Sequence, residues 1–440
     1  MITSAGSRPL AALLFVLTPA LLLALHWRKA LPTALRWVGD AALVATVVAA
    51  AVAIGRLAAQ SIATPPMWDF QAFWSYGRVA VSEGDFYQPA AYYQLFDPAR
   101  FPPTFVHEIF DVGFLYPPPS IWLFVPLGFA DVATAAAIWV PVQLACLAAG
   151  ILALWSLFLP RSGFPGLAVT AAVALTFRAT EYTVVAAQTD FLLLLTLLAF
   201  WHARERAAGG AWLAAGIIVK PVLGVLALQP LIRRRWGVLA MSAAIGVAAC
   251  GATALTFGWP TVRSYFVDNP AGRMRYATFG EWGNQSLLAT ILRVHPHDAD
   301  LIAPARDPVY LALSVGILCV TAWCIARLPR DAEHGALALA TAIPAALLVY
   351  PGTLTHYSIL LLVPMLWLWG RRGKRTVTVL GLAGLIALVA GIVRYRSGIH
   401  AIIGTALVWL TCVAWSARAS RMARMARAAR DADSAGAHPQ

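Results

Sequence analysis

Charge is scarce in this chain: Asp, Glu, Lys and Arg together make up 12% of 440 residues, against 60% hydrophobic residues. A soluble domain carries about twice that charged fraction, so a water-exposed globular domain is excluded. Cysteine is sparse as well. Cys146, Cys250, Cys319, Cys324 and Cys412 all stand inside apolar stretches, with no metal-type spacing to histidine, and are read as core residues. The chain also lacks an internal repeat, a glycine-rich phosphate loop and a G-x-S-x-G elbow. Repeat arrays, nucleotide-cradling loops and the hydrolase elbow therefore have no support.

What is present is a series of long apolar runs, with a mean hydropathy of +0.71. A helix needs roughly 20 apolar residues to cross the hydrocarbon core, and it satisfies its own amides where lipid offers no partner. The runs predict spans over residues 10 to 26, 38 to 62, 115 to 130, 133 to 159, 165 to 177, 183 to 201, 211 to 232, 236 to 257, 308 to 326, 335 to 350, 355 to 369, 376 to 393 and 399 to 417. The first ends in HWRKA rather than at a small-residue cleavage site, so it reads as a retained helix. The expected fold class is an all-α polytopic membrane protein of about 11 to 13 transmembrane helices. Residues 1–417 form one transmembrane domain and 418–440 a basic tail.

The net charge of +13 does not point to nucleic acid, because the basic residues sit in short loops between spans rather than on one soluble face. They follow the positive-inside rule. Arg28, Lys29 and Arg36; Arg233, Arg234 and Arg235; Arg371, Arg372, Lys374 and Arg375; and the tail from Arg418 to Arg430 are all assigned to the cytoplasm. Between residues 64 and 114 the balance reverses, with Asp69, Glu83, Asp85, Asp97, Glu108 and Asp111 against Arg78 and Arg100. That loop, and the one over 258–307, are expected outside the cytoplasmic (inner) membrane. Alternation from 233 to 235 then puts 327–334 inside, 351–355 outside, 370–375 inside, 394–398 outside and the tail inside. The tail is either a basic helix on the inner membrane surface or a solvated extension. One stretch resists alternation: Arg204 with Arg206 and the triple arginine flank both ends of a single 22-residue apolar segment. Half-crossing helices or a re-entrant hairpin resolve it.

Two long hydrophilic loops on one side suit an external active site. MWDFQAFWSYGR places Asp69 at the end of a span beside Trp68, Phe70, Phe73, Trp74 and Tyr76. Partial desolvation there raises the basicity of a carboxylate; the alternative is that Asp69 caps the next helix within an interfacial aromatic belt. Further on, SEGDFYQPAAYYQ supplies Glu83, Asp85 and Tyr87 in a turn. In the second loop, Asn284 and Gln285 either bind a polar ligand or cap a helix. His356 begins a span on the outer side, where it either titrates near neutrality or anchors the helix end. Lys220 stands alone in WLAAGIIVKPVLGVLAL. At membrane depth it needs a partner or an aqueous cavity, and Pro221 beside it interrupts the helix; snorkelling to the inner surface is the competing reading. Gln188 and Asp190 in AAQTDFLLLL either point inward or cap a helix end.

The order D-F-x-x-F-W-x-Y-G-R, E-G-D-x-Y and F-L-Y-P-P-P, followed by A-A-Q-T-D-F-L-L-L, V-K-P-V-L with R-R-R-W, N-Q-S-L-L and T-H-Y, resembles glycosyltransferase family 87 over roughly residues 65 to 370. The resemblance implies a GT-C-type bundle with a long extracytoplasmic first catalytic loop. It further implies inverting transfer of a sugar, most often mannose, from a polyprenyl-phosphate carrier to an acceptor hydroxyl on a glycolipid or glycan outside the cytoplasmic membrane. The partners are then the lipid-phosphate-sugar donor, the acceptor and membrane lipid, with no separate cofactor and no metal. Asp69 matches the family acid and becomes the general base. His356 positions the acceptor or supports the donor phosphate, and Arg394, Arg396 and Lys220 become candidates for the departing phosphate. Three features depart from the pattern: Asp190 stands where asparagine is common, an extra span precedes the one leading into Asp69, and FPPTFVHEIF in the loop 88–114 has no counterpart. A transporter or flippase of a lipid-linked substrate is the alternative, since an intramembrane lysine and broken helices also suit transport.

Overall fold

A computed structural model describes residues 32–65, 69–82, 84–96, 113–268, 283–294, 307–370 and 399–436. Glu83, Arg394, Arg396, the FPPTFVHEIF segment, the basic loop from 371 and the expected spans at 10 to 26 and 376 to 393 lie outside the described residues. Within them the chain is helical, and its one β-type pairing is the isolated antiparallel bridge between Asn284 and Leu354.

Among the described residues, six helices are long and apolar enough to cross a membrane: Arg36–Ala63, Val132–Phe158, Trp236–Phe257, Pro308–Arg327, Ala332–Val349 and Ile402–Arg430. The protein is thus an all-α, multi-pass membrane protein. Burial, not hydropathy, separates the helices that line the core from the rest: 83% of the Ala332–Val349 window is buried, against 11% for the more apolar Trp236–Phe257. The first is central and the second peripheral. The last helix continues without a break from Ile399 to Gly436. At 1.5 Å per residue it is about 57 Å long, so its basic end extends well past one hydrocarbon thickness.

Several expected spans are shorter or broken. Pro160–Thr176 and Arg178–Val185 bend by 58° at their junction, and Asp190–Ala203, Ala208–Val219, Pro221–Ile232 and Thr355–Gly370 are each short apolar pieces. The run at 211 to 232 breaks at Lys220, whose backbone is extended at φ −153° and ψ 128°. Proline disfavours the helical conformation in the residue before it, so Pro221 sets the break. The two halves then fold back on each other. Glu205 at one end of the segment forms an ion pair with Arg235 at the other, Arg204 donates to Ala332 O at 2.6 Å, and Arg233 donates to Pro329 O and Asp331 O, each at 2.9 Å. The arginines flanking this segment therefore share one end of the bundle, and the charge conflict in the sequence disappears. Asp190 and Lys220 mark the other end of this hairpin, about 20 Å away by helix length.

One close crossing positions the first loop. A Cβ on Gly77 would lie 2.0 Å from Phe124 O, and one on Gly128 would lie 2.3 Å from the Gly77 carbonyl carbon. Only glycine lets helices Phe70–Val81 and Ile121–Gly128 approach this closely. Phe73 stacks on Phe124 at 4.8 Å between ring centres beside this contact.

Candidate active site

Asp69 precedes helix Phe70–Val81 at the capping position, yet its backbone is helical and its side chain makes no cap hydrogen bond. The carboxylate turns instead toward Gln188, with His356, Lys220 and Asp190 within electrostatic reach. Burial raises its pKa above the ordinary aspartate value, outweighing His356, Lys220 and the Gln188 hydrogen bond, which act in the opposite direction. Of the two roles open in the sequence, the cap is not the one formed.

Gln188 and Asp190 owe their position to a helix end. Ala187 N–H donates to Val184 O at 3.1 Å and Gln188 N–H donates to Thr183 O at 2.9 Å, while Ala187 adopts φ +49°. This is a Schellman closure of helix Arg178–Val185 with a left-handed alanine where glycine is usual. Trp139 Nε1 fixes the turn by donating to Ala187 O at 2.7 Å. The chain restarts as a helix at Asp190. Its carboxylate thus sits in the first turn, where the helix dipole favours an anion.

Lys220 emerges from the break opposite. It is fully buried, and its Nζ lies 3.0 Å from Asp190 Oδ1, 3.1 Å from Asp190 Oδ2 and 3.0 Å from Gln188 Oε1. The Tyr357 ring centre is 4.1 Å away. Snorkelling is therefore not the conformation adopted. His356, the second residue of the 3₁₀ segment Thr355–Leu361, brings Nδ1 to 2.6 Å from Asp190 Oδ2. Its Nε2 is buried and has no hydrogen-bond partner among the described residues.

The remaining residues singled out in the sequence surround this cluster. Asn284 Nδ2 donates to Pro351 O at 2.8 Å and its Oδ1 accepts from Ser286 N–H at 3.0 Å. Gln285 Nε2 donates to Thr355 Oγ1 at 2.9 Å, while Thr355 N–H donates to Gly283 O at 2.8 Å. Helix Leu287–Val294 is capped by Ser286, whose Oγ accepts from Ala289 N–H at 3.1 Å. Asn284 and Gln285 thus clamp the turn that carries His356, and Gln285 Oε1 stays buried without a hydrogen-bond partner among the described residues. Asp85 and Tyr87 do not join the cluster. Asp85 Oδ1 accepts from Tyr87 N–H at 3.0 Å, and Tyr87 donates through its hydroxyl to Tyr116 O at 2.8 Å.

Two site residues were not singled out from the sequence. Tyr357 offers its ring to Lys220, and Tyr116 lies within electrostatic reach of both Asp69 and Asp190. Both stand inside recurrent family-like motifs, T-H-Y and F-L-Y-P-P-P, and that is the signal the sequence carries for them. Among the described residues, no three His, Cys, Asp or Glu side chains converge as metal ligands.

The sequence pattern of glycosyltransferase family 87 matches residues 114–351, more than half of the chain. No curated protein and no solved structure matches it. The matched segment holds Tyr116, Gln188, Asp190, Lys220 and Asn284; Asp69 and His356 flank it and reach the same cluster through the fold. Membership selects the transferase over the transporter, and the chain belongs to glycosyltransferase family 87.

Proposed function

We propose that this glycosyltransferase moves a sugar, mannose in the first instance, from a polyprenyl-phosphate carrier to a hydroxyl of a glycolipid or glycan acceptor. The reaction proceeds with inversion at the extracytoplasmic face of the cytoplasmic membrane. The observation that carries this reading is the half-buried Asp69 carboxylate, which makes no cap bond and faces Gln188 in a cluster with Asp190, Lys220 and His356. The arginines that cluster at the far end of the hairpin support an outward-facing cluster by the positive-inside rule.

In the reaction, Asp69 takes the proton of the acceptor hydroxyl. The oxygen lone pair forms the new bond to the anomeric carbon from the face opposite the carrier. The bond from that carbon to the phosphate oxygen breaks, its electron pair leaving with the lipid phosphate. A raised carboxylate pKa makes Asp69 a stronger base than an exposed aspartate. His356 Nε2, without a hydrogen-bond partner among the described residues, is the nitrogen available to the substrate. A buried polar atom of this kind carries a desolvation cost that a bound ligand relieves.

The test is a transfer assay on purified protein with polyprenyl-phosphate-mannose and a panel of glycolipid and glycan acceptors. Product with inverted anomeric configuration is expected. Transfer from a water-soluble nucleotide sugar with none from the lipid donor would overturn the reading.

A further inference from the structure

Every donor direction of Lys220 is filled from within the protein. An ammonium carries three protons, and its neighbours are the Asp190 carboxylate at 3.0 Å, the Gln188 amide oxygen at 3.0 Å and the Tyr357 ring centre at 4.1 Å. A substrate phosphate has no proton left to accept unless one of these contacts breaks. The Asp190 carboxylate is in turn shared. Its Oδ2 lies 3.1 Å from Lys220 Nζ and 2.6 Å from His356 Nδ1.

An ionised carboxylate only accepts, so the short contact requires the proton on Nδ1. Lys220 Nζ and His356 Nδ1 are themselves 3.5 Å apart. With both acting as donors, Asp190 is the acceptor that holds them together. Fixing Nδ1 also fixes the ring plane, and Nε2 then points away from Asp190, buried and without a hydrogen-bond partner among the described residues.

We propose that Asp190 is a positioning residue, which holds His356 through Nδ1 and aims Nε2 at the substrate. Lys220 is the internal counter-ion of Asp190 rather than a substrate ligand. This rests on the reading of the Asp69 cluster as the active site. Asp190 acts through another side chain, as the partners that orient metal-bound histidines do, whose loss typically costs about 10 to 100-fold.

Two double variants separate the roles, because each removes both charges of the pair and leaves neither Asp190 nor Lys220 as an unpaired buried ion. Asp190→Leu with Lys220→Met cannot hold Nδ1. It is expected to fold, to lose the Nδ1-protonated signal of His356 in the ¹⁵N spectrum of histidine-labelled protein, and to transfer about 10 to 100-fold more slowly. The His356 signal is identified by its absence from His356→Gln, which should be as slow as the double variant. Asp190→Asn with Lys220→Met keeps a side chain that reaches the imidazole, and is expected to restore most of the turnover. A first double variant as active as wild type would show the pair to be a structural prop and overturn the proposal. A second double variant as slow as the first would mean that Lys220 acts on the substrate, and overturn it equally. Should the leucine variant not fold, the asparagine variant and the wild-type spectrum decide, since an unprotonated Nδ1 at His356 rejects the arrangement. The active-site reading fails separately, if Asp69→Asn transfers at the wild-type rate while the His356 signal is as expected.

Discussion

Asp190 and His356 stand 166 residues apart in the chain and meet at 2.6 Å. Each arrives by a local device: Asp190 by the left-handed turn at Ala187 that ends one helix and starts the next, and His356 by a turn clamped to Asn284 and Gln285. Asp69, beyond the family match on the other side, completes the group through Gln188. The cluster is thus assembled from helix ends and breaks, where polar backbone and side-chain groups are free to meet inside an apolar bundle.

Asp69→Asn should slow transfer by about 100-fold or more, as loss of a general base does, while the protein stays folded because no cap bond is lost. The sign on stability runs the other way. Burial raises the Asp69 pKa in the folded state, so its contribution to stability is present below the unfolded value and lost as pH rises through the folded one. At neutral pH the variant should therefore melt at the same temperature as wild type or higher, with the gap closing in acid. In wild type, transfer should fall on the acid side with a midpoint above the usual aspartate value of about 3.9. Unchanged activity in Asp69→Asn removes the base assignment.

Gly77→Ala should cost about 1 to 3 kcal/mol of stability, the usual range for overpacking, because its Cβ would meet Phe124 O at 2.0 Å. Gly128→Ala faces the same contact from the other side, so the double variant should lose less than the two single losses combined. Thermal unfolding in detergent measures both. Transfer should weaken as well, since the displaced helix carries Asp69 at its start.

Ala187→Gly should be neutral or stabilising by up to about 1 kcal/mol. It relieves a left-handed conformation that costs an alanine about 1 kcal/mol or more, and glycine's greater freedom in the unfolded chain offsets part of that gain. Ala187→Val adds a branched side chain at φ +49° and should lower both melting temperature and transfer. Equal stability of the glycine and valine variants would contradict the strain argument.

On a background lacking the five native cysteines, Gln88→Cys and Arg234→Cys should label from opposite sides of the membrane. Both positions are exposed, and the positive-inside rule puts Arg234 in the cytoplasm. Labelling of both from the same side would overturn the orientation proposed for the active site.

Membership of the membrane-protein class was decided by the sequence alone, because hydropathy and basic-residue placement are sums over local stretches that no tertiary contact reverses. Pro221 likewise announced the break at Lys220, since its effect on the preceding residue is local. The tertiary structure decided that the apolar run at 211 to 232 folds back rather than crosses: hydropathy is the same for one span and for two half-spans, and contacts such as the Glu205–Arg235 pairing distinguish them. It also decided the partners. Asp69, Gln188 with Asp190, Lys220 and His356 are far apart in the sequence and meet only in the fold, because an ammonium or carboxylate taken out of water must find its counter-charge and hydrogen bonds within the protein.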